Sequence, residues 1–175
     1  MRHFLARLGR LRALALLVIL CSPAAADPVT IVAVGASNTS GFNVGERNAY
    51  PARLEALLRA RGIEATVINA GVGFDTTSGM LRRIDSDVPD GTALVILQPG
   101  GNDRRFFVAR EQRAANIADI ENRLRARGIK VVVFDPVFPA EYYIFDGIHF
   151  TAAAHAQIAE RLMPEVISAL PKRKR

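Results

Sequence analysis

A serine becomes a nucleophile only beside a base, and this chain offers few bases. It has three histidines: His3 in a basic leader, His149 and His155. His149 closes the tetrapeptide Asp146-Gly147-Ile148-His149. A tight turn there can aim one imidazole nitrogen at the carboxylate and leave the other free for a hydroxyl. His155 falls inside an expected helix with no acid at a suitable spacing, and reads as a packing or surface residue. Ser37, in Gly35-Ala36-Ser37-Asn38, follows an apolar run and has small neighbours that let a substrate come close. Serine, histidine and aspartate together suit acyl transfer, which also needs donors for an oxyanion. The candidates are the N–H of Ser37, the N–H of Gly73 or Phe74, and the side-chain amide of Asn102. Each piece has an ordinary reading when taken singly. Ser37 can be a helix cap, Asp146 to His149 a plain turn, and Asn102, beside Gly100-Gly101, a turn residue.

What joins the pieces is where the elements put them. Val29 to Val34 is an apolar run ending in Gly35, a buried strand. A helix follows at about Tyr50 to Arg61, with Leu54, Leu57 and Leu58 on one face. The later strands are Ala65 to Asn69, Ala93 to Leu97 and Lys130 to Phe134. Helices fall near Ser78 to Ile84 and from Glu111 to Arg127. A last helix, capped by Thr151, runs to about Met163, with Pro164 near its end. Alternating strands and helices imply an α/β fold of flavodoxin-like, three-layer α/β/α type, with a parallel sheet of four to five strands in the order 2-1-3-4. Ligands in such sheets sit beyond the carboxyl ends of the strands. The segments there are the unusual ones: Ser37 and its neighbours, Asn69-Ala70-Gly71-Val72-Gly73-Phe74-Asp75, and Pro99-Gly100-Gly101-Asn102-Asp103.

These segments resemble the blocks of the SGNH (GDSL-type) hydrolases, and especially their small exported esterase and thioesterase branch. Gly35 to Asn38 is similar to the nucleophile block, and Asn69 through Thr77 to the second. Gly100-Gly101-Asn102-Asp103 matches the GxND block, and Asp146 to His149 the final DxxH block. The resemblance covers most of residues 27–171. It implies Ser37 as nucleophile, His149 as base and acid, Asp146 as its orienter and Asn102 as an oxyanion donor. Ala36 stands where the family has the aspartate of its GDS block, so altered loop bonding is expected. Counted from Asn69, the family's glycine falls on Phe74, so either Phe74 or Gly73 supplies the N–H. The run from Phe134 to Asp146 is short where the family adds a strand and a helix. Its aromatics, with Phe74, Phe106 and Phe107, are expected to wall a shallow cleft for short acyl chains.

Composition narrows the function further. The chain of 175 residues carries 23 Lys+Arg against 17 Asp+Glu, a formal +6. Residues 1–26 hold four arginines and no acid, then an apolar run to Cys21 and Ala24-Ala25-Ala26, the pattern of a secretory signal peptide. Setting them aside leaves +2, and the basic tail of residues 172–175 alone carries +4. The hydrolase domain, residues 27–171, therefore has no basic excess for nucleic acid. The chain is expected to be exported, periplasmic or secreted, without stable membrane insertion after signal cleavage. Its single cysteine, Cys21, lies in the signal, so no disulfide or thiol nucleophile is expected. Two histidines without cysteines make a poor metal site, and no metal or organic cofactor is expected. The expected substrate is a small-molecule acyl ester or thioester, cleaved through an acyl-enzyme. The alternatives are an acyltransferase or carbohydrate O-acyl esterase on the same residues, a catalytically dead relative, and a flavodoxin-like domain binding phosphate in its glycine-rich loops. Against the last, no GxGxxG or GxxxxGK[ST] is present.

Overall fold

Apolar residues point to both faces of the strands, and each face needs its own cover. In the computed structural model, which describes residues 28–171, four parallel strands provide those faces. They are β1 (Val29–Gly35), β2 (Ala65–Gly71), β3 (Leu94–Gln98) and β4 (Lys130–Val133), in the order β2-β1-β3-β4. The expected order is thus found, with four strands. The expected export signal and basic tail lie outside the described residues.

Two helices cover each face. On one side, Ile31, Ala33, Leu94 and Ile96 pack under α2 (Tyr50–Ala60) and α6 (Ala152–Ala169). On the other, Val32, Val34, Val95 and Leu97 pack under α3 (Thr77–Asp87) and α5 (Arg110–Ala126). Two one-turn helices, α1 (Ser37–Ser40) and α4 (Asn102–Arg105), leave the carboxyl ends of β1 and β3. The central strands are buried without exception over Ile31 to Val34 and Leu94 to Leu97. Each valine, isoleucine or leucine among them contributes roughly 1.5–3 kcal/mol relative to exposure. That rigid floor fixes where the strand-end loops begin.

Two helices run longer than their sequences suggest. Near Ser78 to Ile84 a short helix is expected, and α3 extends it at both ends, capped by the Thr76 hydroxyl accepting from the Gly79 N–H at 3.3 Å. The last helix does not stop at Pro164. Pro164 and Glu160, whose carbonyl loses its partner, are both on the exposed face. Meanwhile Val166 and Leu170 continue the buried stripe of Ile158 and Leu162. Burial holds the helix past the proline, at the water-facing side where the lost hydrogen bond costs least.

His155 is fully buried on α6, where its Nδ1 accepts the Tyr50 N–H at 3.2 Å. It is the packing residue rather than the surface one. Burial, with the Arg53 guanidinium nearby adding to it, lowers its pKa from 6.5 to about 4. The unfolded chain therefore binds this proton more readily than the folded one. Stability from this group is complete above pH 6.5 and is lost as the pH falls through about 4. Thermal melts across that window should show the loss, and His155→Leu should flatten this part of the profile.

Candidate active site

Ser37 is held at the end of the central strand by a tight turn. Ala36 precedes α1, and its carbonyl accepts the N–H groups of Thr39 and Ser40, both at 3.0 Å. The turn lies directly on the end of β2. A Cβ on Gly71 would come within 2.2 Å of the Ser40 nitrogen, so only glycine lets the two segments meet. The Ala36 side chain packs into the apolar cluster under α3 and α5 and offers no polar group to the loop. The turn is instead held from three sides. Asn38 donates to the Ile148 carbonyl at 3.1 Å and accepts the Phe150 N–H at 3.0 Å. Thr39 donates to Gln98 Oε1 at 2.6 Å. Arg83 donates to the Gly35 carbonyl at 3.0 Å.

The Asn38 pair brackets His149 and brings the distant loop onto Ser37. Within that loop Gly147, at φ 67°, allows a turn closed by its N–H on the Ile144 carbonyl at 2.9 Å. Asp146 Oδ1 accepts the backbone N–H groups of Ile148 and His149, both at 2.9 Å. Its Oδ2 lies 2.5 Å from His149 Nδ1. A carboxylate only accepts, so the imidazole proton sits on Nδ1. Nε2 is then the acceptor, 3.0 Å from Ser37 Oγ. Partial burial raises the Asp146 carboxyl, but the bonds from the His149 ring, the His149 N–H and the Ile148 N–H outweigh it, and the pKa falls to about 2. The stabilisation this gives is present above the ordinary value of 3.8 and is lost as the pH falls through about 2. The Phe42 ring packs against the imidazole, 4.2 Å between centroids and tilted by 35°, and shields part of it from water.

The neighbouring loops are tied to this turn. The Val72 N–H donates to the Gly35 carbonyl at 3.0 Å, and the Asn102 amide donates to the Asp75 carbonyl at 2.8 Å. One amide hydrogen of Asn102 is thereby engaged, which leaves the second for another acceptor. The N–H groups of Ser37, Gly73 and Phe74 have no acceptor among the described residues. Phe74 adopts φ 62°, the left-handed region, while Gly73 does not. The position counted as the family's glycine thus has a glycine's conformation, held by phenylalanine at a cost of about 1–2 kcal/mol.

Several supporting residues escaped the sequence reading. Arg83 joins the ends of the two strands beside the site, donating to the Gly35 and Ala70 carbonyls and to Asp75 Oδ2 at 2.8 Å, and it also pairs with Asp87. Asp103 is buried and accepts the Thr77 hydroxyl at 2.6 Å and the Thr77 N–H, while Asn116 donates to the same hydroxyl at 2.9 Å. That network fixes the Asn102 turn against the start of α3. The expected aromatic wall is only partly found. Phe138, Tyr142, Tyr143 and Phe150 pack together and seal the sheet edge, while Phe107 and Phe145 stand in solvent. Phe42 and Phe74 remain beside the site, each at least half exposed.

Residues 33–162 match the model of the GDSL-like lipase/acylhydrolase family. Esterase TesA of Pseudomonas aeruginosa is 31% identical over 149 residues, 82% of this chain and 73% of the relative. An arylesterase of Vibrio mimicus is 27% identical over 164 residues, 88% of this chain and 80% of its own. The crystal structure of TesA shares the fold with a TM-score of 0.74 at 23% identity, covering 81% of this chain and 99% of that one.

Proposed function

Since the chain belongs to the GDSL-like lipase/acylhydrolase family, we propose that it hydrolyses carboxylic esters or thioesters through an acyl-enzyme on Ser37. The observation that carries this reading is the unbroken relay from Ser37 Oγ to His149 Nε2 at 3.0 Å and from His149 Nδ1 to Asp146 at 2.5 Å. Ser37 attacks the acyl carbon while His149 takes its proton, and Asp146 holds the imidazole and offsets its charge. The tetrahedral oxyanion rests on the N–H of Ser37, the N–H of Phe74 and the second amide hydrogen of Asn102. Gly73 has the weaker claim, because it lacks the conformation the position favours. His149 returns its proton to the leaving alcohol or thiol, and water then releases the acid by the same steps. An esterase and an arylesterase among the relatives support an ester as substrate. With this reading goes export from the cytoplasm, which rests on the basic, apolar and small-residue succession of residues 1–26. A screen of aryl esters, acyl-CoA and acetylated sugars, with and without an acceptor alcohol, tests the reaction class. Release of free acid without acceptor is expected, and product formed only with acceptor would make the protein a transferase.

Asn102→Ala is expected to lower kcat by about 10²–10³ with a smaller change in KM, as loss of one oxyanion donor does. Steady-state kinetics on a p-nitrophenyl ester check it. A change confined to KM would make Asn102 a binding or structural residue.

Acyl length should matter only near the ester. A buried methylene gains about 0.8 kcal/mol, and one left in water gains nothing. Phe42, against the His149 ring, and Phe74, in the second loop, are themselves 50% and 64% exposed. For monomeric p-nitrophenyl esters, kcat/KM should peak between acetyl and about hexanoyl, where burial ends. A rise that continues to dodecanoyl would reveal a long acyl channel.

A further inference from the structure

Of the ten large apolar side chains exposed among the described residues, all but Ile68 and Val133 stand on loops that leave the carboxyl ends of the strands. Phe145 is 100% exposed, Phe107 95% and Val137 86%. The opposite end of the sheet differs. Its loops between α2 and β2, α3 and β3, and α5 and β4 carry Arg61, Glu64, Asp90 and Arg127, and their large apolar residues are turned inward. Singly scattered apolar residues are normal on a protein surface, but their concentration around one site is not scatter.

We propose that this aromatic rim rests on an anionic lipid surface and takes ester substrates from it. The proposal deepens the esterase reading and rests on it for the substrate. The rings come from separate loops around Ser37, so a folded protein lying on them would close the site, whereas a lipid surface supplies the substrate. Such a surface also resolves the shallowness of the cleft: the site holds the carbons near the ester while the rest of the chain stays in lipid. The charges favour phosphate headgroups. Arg104 and Arg105 are exposed on α4, and Arg105 lies over the Phe74 ring, 5.8 Å from its centroid. Most acids of these loops are turned inward or paired: Asp103 to Thr77, Asp75 to Arg83, and Asp135 to Arg113. Glu46 and Glu141 are the acids of these loops left exposed without an ion pair, and Glu46 is followed by the exposed Arg47. The contact is peripheral, since among the described residues no helix is long and apolar enough to cross a membrane.

The chain has no tryptophan, so Phe107→Trp and Phe145→Trp each introduce a single reporter. Each full-length variant is mixed with phosphatidylcholine–phosphatidylglycerol vesicles, with and without bromine on the acyl chains. Both indoles should shift to the blue and be quenched by the brominated lipid. Adding Arg104→Gln and Arg105→Gln should raise the vesicle concentration at half-maximal shift by roughly 30-fold, the effect of two lost surface cations. Indoles that stay unquenched would overturn the proposal, even if another segment holds the chain on the vesicle. A blue shift without lipid that grows with protein concentration would assign the rim to a second copy instead. A half-point unchanged by the arginine substitutions would overturn the anionic assignment. Hydrolysis of soluble p-nitrophenyl acetate by the same variants reports the esterase reading separately, and its failure leaves the quenching to decide the surface.

Discussion

Ser37→Ala should lower kcat/KM for a p-nitrophenyl ester by roughly 10⁶-fold, the scale seen when a triad nucleophile is removed. The hydroxyl is the atom that bonds to the acyl carbon, and no other group stands in the relay to replace it. The other hydroxyls of the turn are engaged, Thr39 with Gln98 Oε1 at 2.6 Å and Ser40 with the Ser37 carbonyl at 2.9 Å. The fold should be nearly unaffected. The Ser37 side chain is partly exposed, and its recorded partner is the His149 ring alone. Substitutions of that kind stay within about 0.5 kcal/mol. A thermal melt beside the kinetics separates lost chemistry from lost structure. An active, folded Ser37→Ala protein would remove the serine from the mechanism. His149→Ala should be nearly as damaging, because triad members act as a unit.

Asp146→Asn should cost roughly 10⁴-fold in kcat while leaving the loop in place. The asparagine oxygen can still accept the N–H groups of Ile148 and His149 that now reach Oδ1. What changes is the group facing Nδ1. An amide N–H there donates to the imidazole, the ring proton moves to Nε2, and Ser37 loses its acceptor. The carboxylate also offsets the charge of the imidazolium that forms during attack, and a neutral amide does not. With the Asp146 pKa at about 2, the group is ionised throughout the range where esters are assayed. Kinetics of Asp146→Asn against pH, with a melt to confirm folding, checks the expectation. A loss below tenfold would mean that Asp146 anchors the turn without orienting the base.

The sheet and its order were legible because each strand is a short apolar run followed by a helical stripe, a pattern that the packing of Ile31, Val32, Leu94 and Val95 carries out. The grouping of Ser37, His149 and Asp146 was legible for a different reason: two histidines in residues 27–171 left one choice with a neighbouring acid. Pro164 misled because local chemistry forbids what tertiary burial of Val166 and Leu170 enforces. Asn38, Arg83 and Asn116 were not legible at all. Their partners lie 110, 48 and 39 residues away, so no local pattern marks them. Arg83, four residues before Asp87, reads in sequence as an ordinary surface pair. The aromatic run before Asp146 showed its composition but not its direction. Phe138 turns into the core, and Phe145, seven positions on, stands wholly in water.

The most direct measurement of the central claim is the site of covalent labelling. The intact protein is treated with a fluorophosphonate ester, which reacts with an activated serine and mimics the tetrahedral state. Its mass is then recorded, and the labelled peptide is sequenced. One adduct is expected, on Ser37, absent in Ser37→Ala and strongly slowed in His149→Ala. A protein that stays unlabelled while folded, or an adduct on Ser40 or Ser78 instead, would contradict the assignment of Ser37 as the nucleophile.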